Sequence, residues 1–119
     1  MDRCPQADLT IRLVDGDESA ALNSRFRGQD KATNVLSFGA ESPSWATVPY
    51  LGDVVICMPV VIAEAAAQHK ALEAHCAHMT VHGVLHLLGY DHVLPQEAEV
   101  MEAVERGILQ AMGYADPYE

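Results

Sequence analysis

The run HGVLHLLGYDH carries three imidazoles, His82, His86 and His92, in an otherwise mostly apolar stretch. On a helix of about 3.6 residues per turn, His82 and His86 lie about 40° apart around the axis, so one rigid element offers both rings on one side. The same helix continued to His92 would place the third ring about 240° from His86, almost behind the pair. Gly89 removes the conflict, because glycine adopts the left-handed conformation that ends helices and lets the chain turn back beside its last turn. Neutral imidazoles are the commonest zinc ligands, and three of them leave a fourth position for water, as catalytic rather than closed structural sites do. The spacing predicts an open metal site built from His82, His86 and His92.

A lone histidine on an apolar helix face is ordinarily a satisfied core or surface residue, and it is the third histidine with its glycine that favours ligation. A rival set, His78, His82 and His86, would spread its ligands over roughly 11–12 Å of helix axis, too far for one ion. His69, His75 and His78 are accordingly read as solvated or as supporting the ligands. The same H-x3-H-x2-G-x2-H spacing occurs in metzincin peptidases, where a glutamate that activates water follows the first histidine. Gly83 stands at that position here, which argues against peptide hydrolysis. Asp91 has two readings, a group that orients a ligand or activates water, and a polar residue of the exit turn.

The elements that must position these residues are legible in outline. LTIRLV, from Leu9 to Val14, alternates as a half-buried strand does, and DGDES follows as a turn and helix start, the helix reaching to about Arg25. NVLSF (Asn34 to Phe38) and LGDVVIC (Leu51 to Cys57) read as strands, with a loop containing two prolines, AESPSWATVPY, between them. From Pro59 the texture becomes helical: VVIAEAAAQH, a break near Lys70, then LEAHCAHMTVHGVLHLL up to Gly89. A last amphipathic helix starts at Pro95 and stops before Gly113.

With 119 residues, 50% hydrophobic and 20% charged, the chain suits one folded domain with one core, taken as residues 1–119. The start MDRCPQADL lacks the apolar run of a signal peptide, and no stretch approaches a membrane span, so a cytoplasmic location away from any membrane is expected. Cys4, Cys57 and Cys76 form no C-x-x-C pair and read as reduced thiols. Seventeen acidic residues against seven basic ones give a formal charge of −10, the reverse of a nucleic-acid binder's usual footprint. The balance is uneven: Arg25, Arg27 and Lys31 cluster against Asp30 alone, whereas beyond Tyr90 only Arg106 opposes the acids.

HGVLHLLGYDH, RGQDKATNVLSF and LGDVVIC, with the closing GYADPY, closely resemble the YbeY family of bacterial metal-dependent endoribonucleases, which act in ribosomal RNA maturation and ribosome quality control. The resemblance runs from about Leu9 to the end. It implies a zincin-like α/β (α+β) fold, a mixed sheet packed with helices whose active-site helix carries H-x3-H, and one hydrolytic zinc per chain on His82, His86 and His92. It also nominates Arg27 as a catalytic and substrate-binding residue, a planar guanidinium suited to gripping phosphate oxygens in pairs, with Lys31 adding a looser positive charge. Family members usually carry a further strand and helix ahead of the segment that begins near Leu9, where this chain has only MDRCPQAD, and Gln29 stands where the family often has lysine.

The implied chemistry is metal-assisted hydrolysis of an RNA phosphodiester, with Arg27 stabilising charge on the transferring group and the general base open between Asp91 and a substrate phosphate oxygen. Ribosomal RNA is the expected partner, with ribosomal proteins and an assembly GTPase as candidates for supplying the affinity that so acidic a chain lacks. Two other readings compete: a ribosome-assembly binding factor with a mainly structural metal, and a metallopeptidase, favoured by the histidine spacing alone.

Overall fold

Strands buried on both faces read as continuous apolar runs, and Val54, Val55, Ile56 and Cys57 form the one such run among the expected strands. A computed structural model of the chain, which describes residues 8–40, 50–91 and 93–118, makes that run the central strand. Its elements in order are β1 (Asp8–Val14), α1 (Gly16–Arg27), β2 (Val35–Gly39), β3 (Tyr50–Cys57), α2 (Met58–Ala67), α3 (Leu72–Leu87) and α4 (Pro95–Ala111). The sheet is mixed, in the order β1-β3-β2, with β1 parallel and β2 antiparallel to β3. The expected α/β architecture and its elements stand; the loop expected between β2 and β3 lies largely outside the described residues.

Alternation along β3 divides the core. Val55 and Cys57 pack with Val14, Leu36 and Leu22 of α1 on one face, while Val54 and Ile56 pack with Val61 of α2 and Met79 of α3 on the other. A third cluster, Val81, Leu85, Met101 and Leu109, joins α3 to α4. Helix α3 is therefore covered on two sides, by the sheet and by α4. Cys57 and Cys76 are free thiols, and no helix among the described residues is long and apolar enough to cross a membrane.

Two local devices set the ends of the functional segments. Helix α1 starts at Asp15, whose side chain accepts from Glu18 N. Its buried polar residues then clamp the following loop: Ser19 Oγ bonds both the carbonyl and the N–H of Thr33, and Asn23 Nδ2 donates to Lys31 O. Those bonds give the loop backbone side-chain partners and fasten it to the buried face of α1. Helix α3 ends at Gly89, whose φ of 99° is the left-handed conformation expected there. Gly89 N donates to His86 O and Tyr90 N to Leu85 O, and Tyr90 packs against the cluster of Val81, Leu85, Met101 and Leu109.

Helix α3 approaches the sheet closely at Gly83. A Cβ there would lie 2.6 Å from Val54 Cγ1, 3.1 Å from Val35 Cγ2 and 3.2 Å from Ser37 Oγ. Val54 and Ser37 are cross-strand partners, so the helix backbone sits directly on one rung of the β2–β3 ladder. Ser37 Oγ donates to Gly83 O at 2.8 Å across that contact. Gly83→Ala gains roughly 1 kcal/mol of helix propensity but overpacks against a fully buried, β-branched valine, an effect of about 1–3 kcal/mol. The expected outcome is a net destabilisation of about 1 kcal/mol in urea unfolding, and a midpoint equal to or above wild type would show that α3 can slide off this contact.

Candidate metal centre and cleft

The order of side chains along α3 follows from its two covered faces. Gly83 and Met79 turn to the sheet and Val81 and Leu85 to α4, which leaves His82 and His86 together beside the sheet edge. Their Nε2 atoms stand 3.1 Å apart. Two imidazole nitrogens each about 2.0–2.1 Å from one zinc are separated by roughly 3.1–3.4 Å at near-tetrahedral angles, so the pair fits two ligands of a single ion. Without a metal the same separation suits an imidazole–imidazole hydrogen bond, with one ring donating. His92 lies outside the described residues, and among those described no group of three His, Cys, Asp or Glu side chains is placed to hold a metal. Asp91, immediately before it, lines the same cleft as His82 and His86, so the chain beyond Gly89 does return to the imidazole side.

That cleft, about 650 Å³ in volume, lies between α3 and β2. Arg27 forms part of its wall along with Thr33, Asn34, Ser37, His82, His86 and Asp91. As the last residue of α1, Arg27 occupies the helix end where the backbone dipole favours a cation. Its Nη2 donates to Ser37 O at 2.8 Å, and its guanidinium carbon lies 5.3 Å from the centre of the Phe38 ring. One carbonyl and one aromatic face thus hold the guanidinium plane against β2. Lys31 is exposed and outside this wall; its carbonyl, taken up by Asn23, is the part the structure engages.

Behind the imidazole pair is a carboxylate that the sequence reading passed over. Glu105 of α4 is fully buried. His82 Nδ1 lies 2.9 Å from its Oε1, and His78 Nε2 lies 2.7 Å from its Oε2. Tyr118 donates its hydroxyl to the same Oε2 at 2.7 Å. Burial pushes the Glu105 carboxyl up, but the hydrogen bonds from His78, His82 and Tyr118 outweigh it and hold the group below the ordinary carboxylate range. His82 Nδ1, His78 Nε2 and the Tyr118 hydroxyl thus converge on a single carboxylate, whose oxygens accept when it is ionised. One signal was present in sequence: Met101, Glu105 and Leu109 recur at intervals of four, so the glutamate sits mid-stripe on an apolar face.

His75 and His78 are buried rather than solvated, with relative exposures of 3% and 8%. His78 supports Glu105, and His75 Nε2 meets Glu64 Oε1 of α2 at 2.9 Å, where Asn34 Nδ2 also binds. His69 is exposed beyond the end of α2.

The mixed α/β domain thus places paired helical imidazoles, a carboxylate behind them and an arginine around one cleft and its back wall. The chain matches the family described as Endoribonuclease YbeY over residues 2–113 and belongs to that family, which makes it an endoribonuclease of ribosomal RNA maturation. Among solved structures it is similar to the solution structure of TM1509 from Thermotoga maritima, at 26% identity and a TM-score of 0.54, covering 96% of this chain and 79% of that one.

Partial burial and the bond to Glu105 raise the Tyr118 phenol above its ordinary value of 10.0, with Glu102 raising it further and Arg106 opposing. A group raised by folding contributes stability that is complete below its unfolded pKa and is lost as pH rises through the folded value. The stability difference between wild type and Tyr118→Phe should thus stay constant up to pH about 10 and shrink above it. Tyr50 and Tyr114, raised by their bonds to Asp53 and Glu73, titrate in both chains and cancel. Urea unfolding across alkaline pH reads this directly, and a difference that does not shrink above pH about 10 would exclude the Tyr118–Glu105 bond as its source.

Proposed function

We propose that the chain is a zinc-dependent endoribonuclease acting in ribosomal RNA maturation and ribosome quality control, with His82, His86 and His92 as metal ligands and Arg27 as the phosphate-gripping residue. The observation that carries this reading is that Arg27 and the His82–His86 pair line one cleft, although β2, β3 and α2 separate their helices in sequence. A zinc bound there supplies Lewis acidity and acidifies water at neutral pH. Arg27 faces the same space with a guanidinium already oriented by Ser37 and Phe38, so it stabilises charge on the phosphoryl group without reorganising. Asp91, also in the wall, and a substrate phosphate oxygen are the two candidates for the proton acceptor. Lys31 is expected to act outside the cleft, on flanking phosphates.

Gly83 supports hydrolysis of something other than peptide. The position that carries the peptidase glutamate is pressed onto Val54 and Ser37, with no room for a side chain directed at the metal. At a net charge of −10 the chain does not gather RNA by its own field, so ribosomal proteins or an assembly GTPase supply the docking, in a cytoplasmic setting.

The test combines metal content with cleavage. Wild type should carry near one zinc per chain and cut single-stranded ribosomal RNA, and chelator should abolish cutting. Arg27→Ala should keep its zinc and lose about 10²–10³-fold in rate, as loss of a charge-stabilising donor does. Arg27→Lys should recover little of that, because an ammonium cannot reproduce the two-pronged grip. Unchanged cleavage in Arg27→Ala would instead favour the assembly-factor reading, with a structural metal and a by-product nuclease activity.

A further inference from the structure

The contacts of Glu105 and of the closing GYADPY segment are not explained by the cleft, since neither lines it. Glu105 is separated from the open side of the imidazole pair by the His82 ring, whose Nδ1 meets Glu105 and whose Nε2 meets His86. A ring that gives its Nδ1 proton to a carboxylate keeps a lone pair on Nε2, the form a metal requires. The opposite tautomer would turn an N–H toward His86 and block ligation. Tyr118 makes the carboxylate a better-held acceptor. Its hydroxyl donates to Oε2, its ring packs at 5.3 Å from that of His78, and the segment carrying it is tied down by Lys70 Nζ on Pro117 O and by Arg106 on Asp116.

We propose that Glu105, fastened by Tyr118 of the C-terminal segment, is a positioning residue that fixes the His82 ring as its Nδ1–H tautomer and so presents Nε2 to the metal beside His86. This rests on the proposed metal site and adds to it a second layer contributed by α4 and the chain end. The arrangement also gives the GYADPY segment a function: it closes the far side of the site and shields the carboxylate from water. Glu105 passes no proton to substrate and touches none.

Two measurements test this, one of which needs no metal. On metal-free protein labelled with nitrogen-15 in its histidine rings, long-range proton–nitrogen correlation at mildly alkaline pH reads the His82 tautomer. Wild type should show Nδ1–H alone and Glu105→Ala a mixture. Competition between the protein and a chromogenic chelator for zinc ions reads affinity. Glu105→Ala should weaken zinc binding by about 10–100-fold, the usual effect of removing the partner behind a ligand imidazole. Glu105→Gln should fall between, because its amide oxygen still accepts from Nδ1–H, and Tyr118→Phe should weaken binding less than Glu105→Ala. Glu99→Gln, the same charge change on the exposed side of α4, should match wild type.

Zinc affinity in Glu105→Gln equal to wild type, or a His82 tautomer unchanged in both Glu105 variants, overturns the proposal. If Glu105→Ala fails to fold, Glu105→Gln and Tyr118→Phe decide it on the same two readouts. A wild type that takes up no zinc refutes the metal site, while the tautomer of metal-free His82 still decides whether Glu105 positions the ring.

Discussion

The contact on which the rest of the structure depends is the seating of α3 on the sheet at Gly83. With no side chain between them, the helix backbone comes close enough for Ser37 Oγ to bond Gly83 O. A helix held that closely cannot rotate without driving Met79 or Val84 out of the core they share with Val54 and Ile56. Its rotation in turn fixes the direction of His82 and His86. The direction of the imidazole pair is thus set by a glycine that lies in the contact between helix and sheet.

Ser37 extends that constraint across the cleft. Its hydroxyl holds α3 and its carbonyl holds Arg27, so the two walls are referenced to a single residue of an edge strand. Edge strands ordinarily leave backbone groups unpaired, and here one of those carbonyls serves as the fixed point for a guanidinium. Phe38, next in the strand, supplies the ring over which the guanidinium lies and packs against Phe26 of α1. A displacement of β2 would therefore move Arg27 relative to the imidazoles.

How much of this was legible in the sequence follows from the range of each interaction. Periodicity and turn residues are local, and they located β1, β2, β3 and the helices to within a few residues. They stopped α1 near Arg25, two residues short of its end, although Gly28, left-handed like Gly89, is a local stop signal of the same kind. The His82–His86 pair was readable because helix geometry alone brings the two rings together. Ser37 and Gly83, 46 residues apart, have no shared periodic signal, and only the fold makes them neighbours. For His75, read as solvated or as supporting the ligands, the buried contact to Glu64 was not legible because Glu64 belongs to a different helix.

Glu105 was the informative exception. An ionised carboxylate in the middle of the Met101–Leu109 stripe breaks the pattern that the rest of α4 obeys, and an apolar residue there would ordinarily pack at less desolvation cost. Here an apolar residue would instead leave the imidazoles of His78 and His82 and the hydroxyl of Tyr118 without the carboxylate on which they converge. The glutamate is tolerable only because those donors converge, and the donors are satisfied only because it is charged. Such mutual dependence explains why α4, which makes no contact with the cleft through Arg27 or β2, cannot be treated as mere packing behind the site. Where one residue violates a stripe that its neighbours respect, the reason lies in what the fold brings to it.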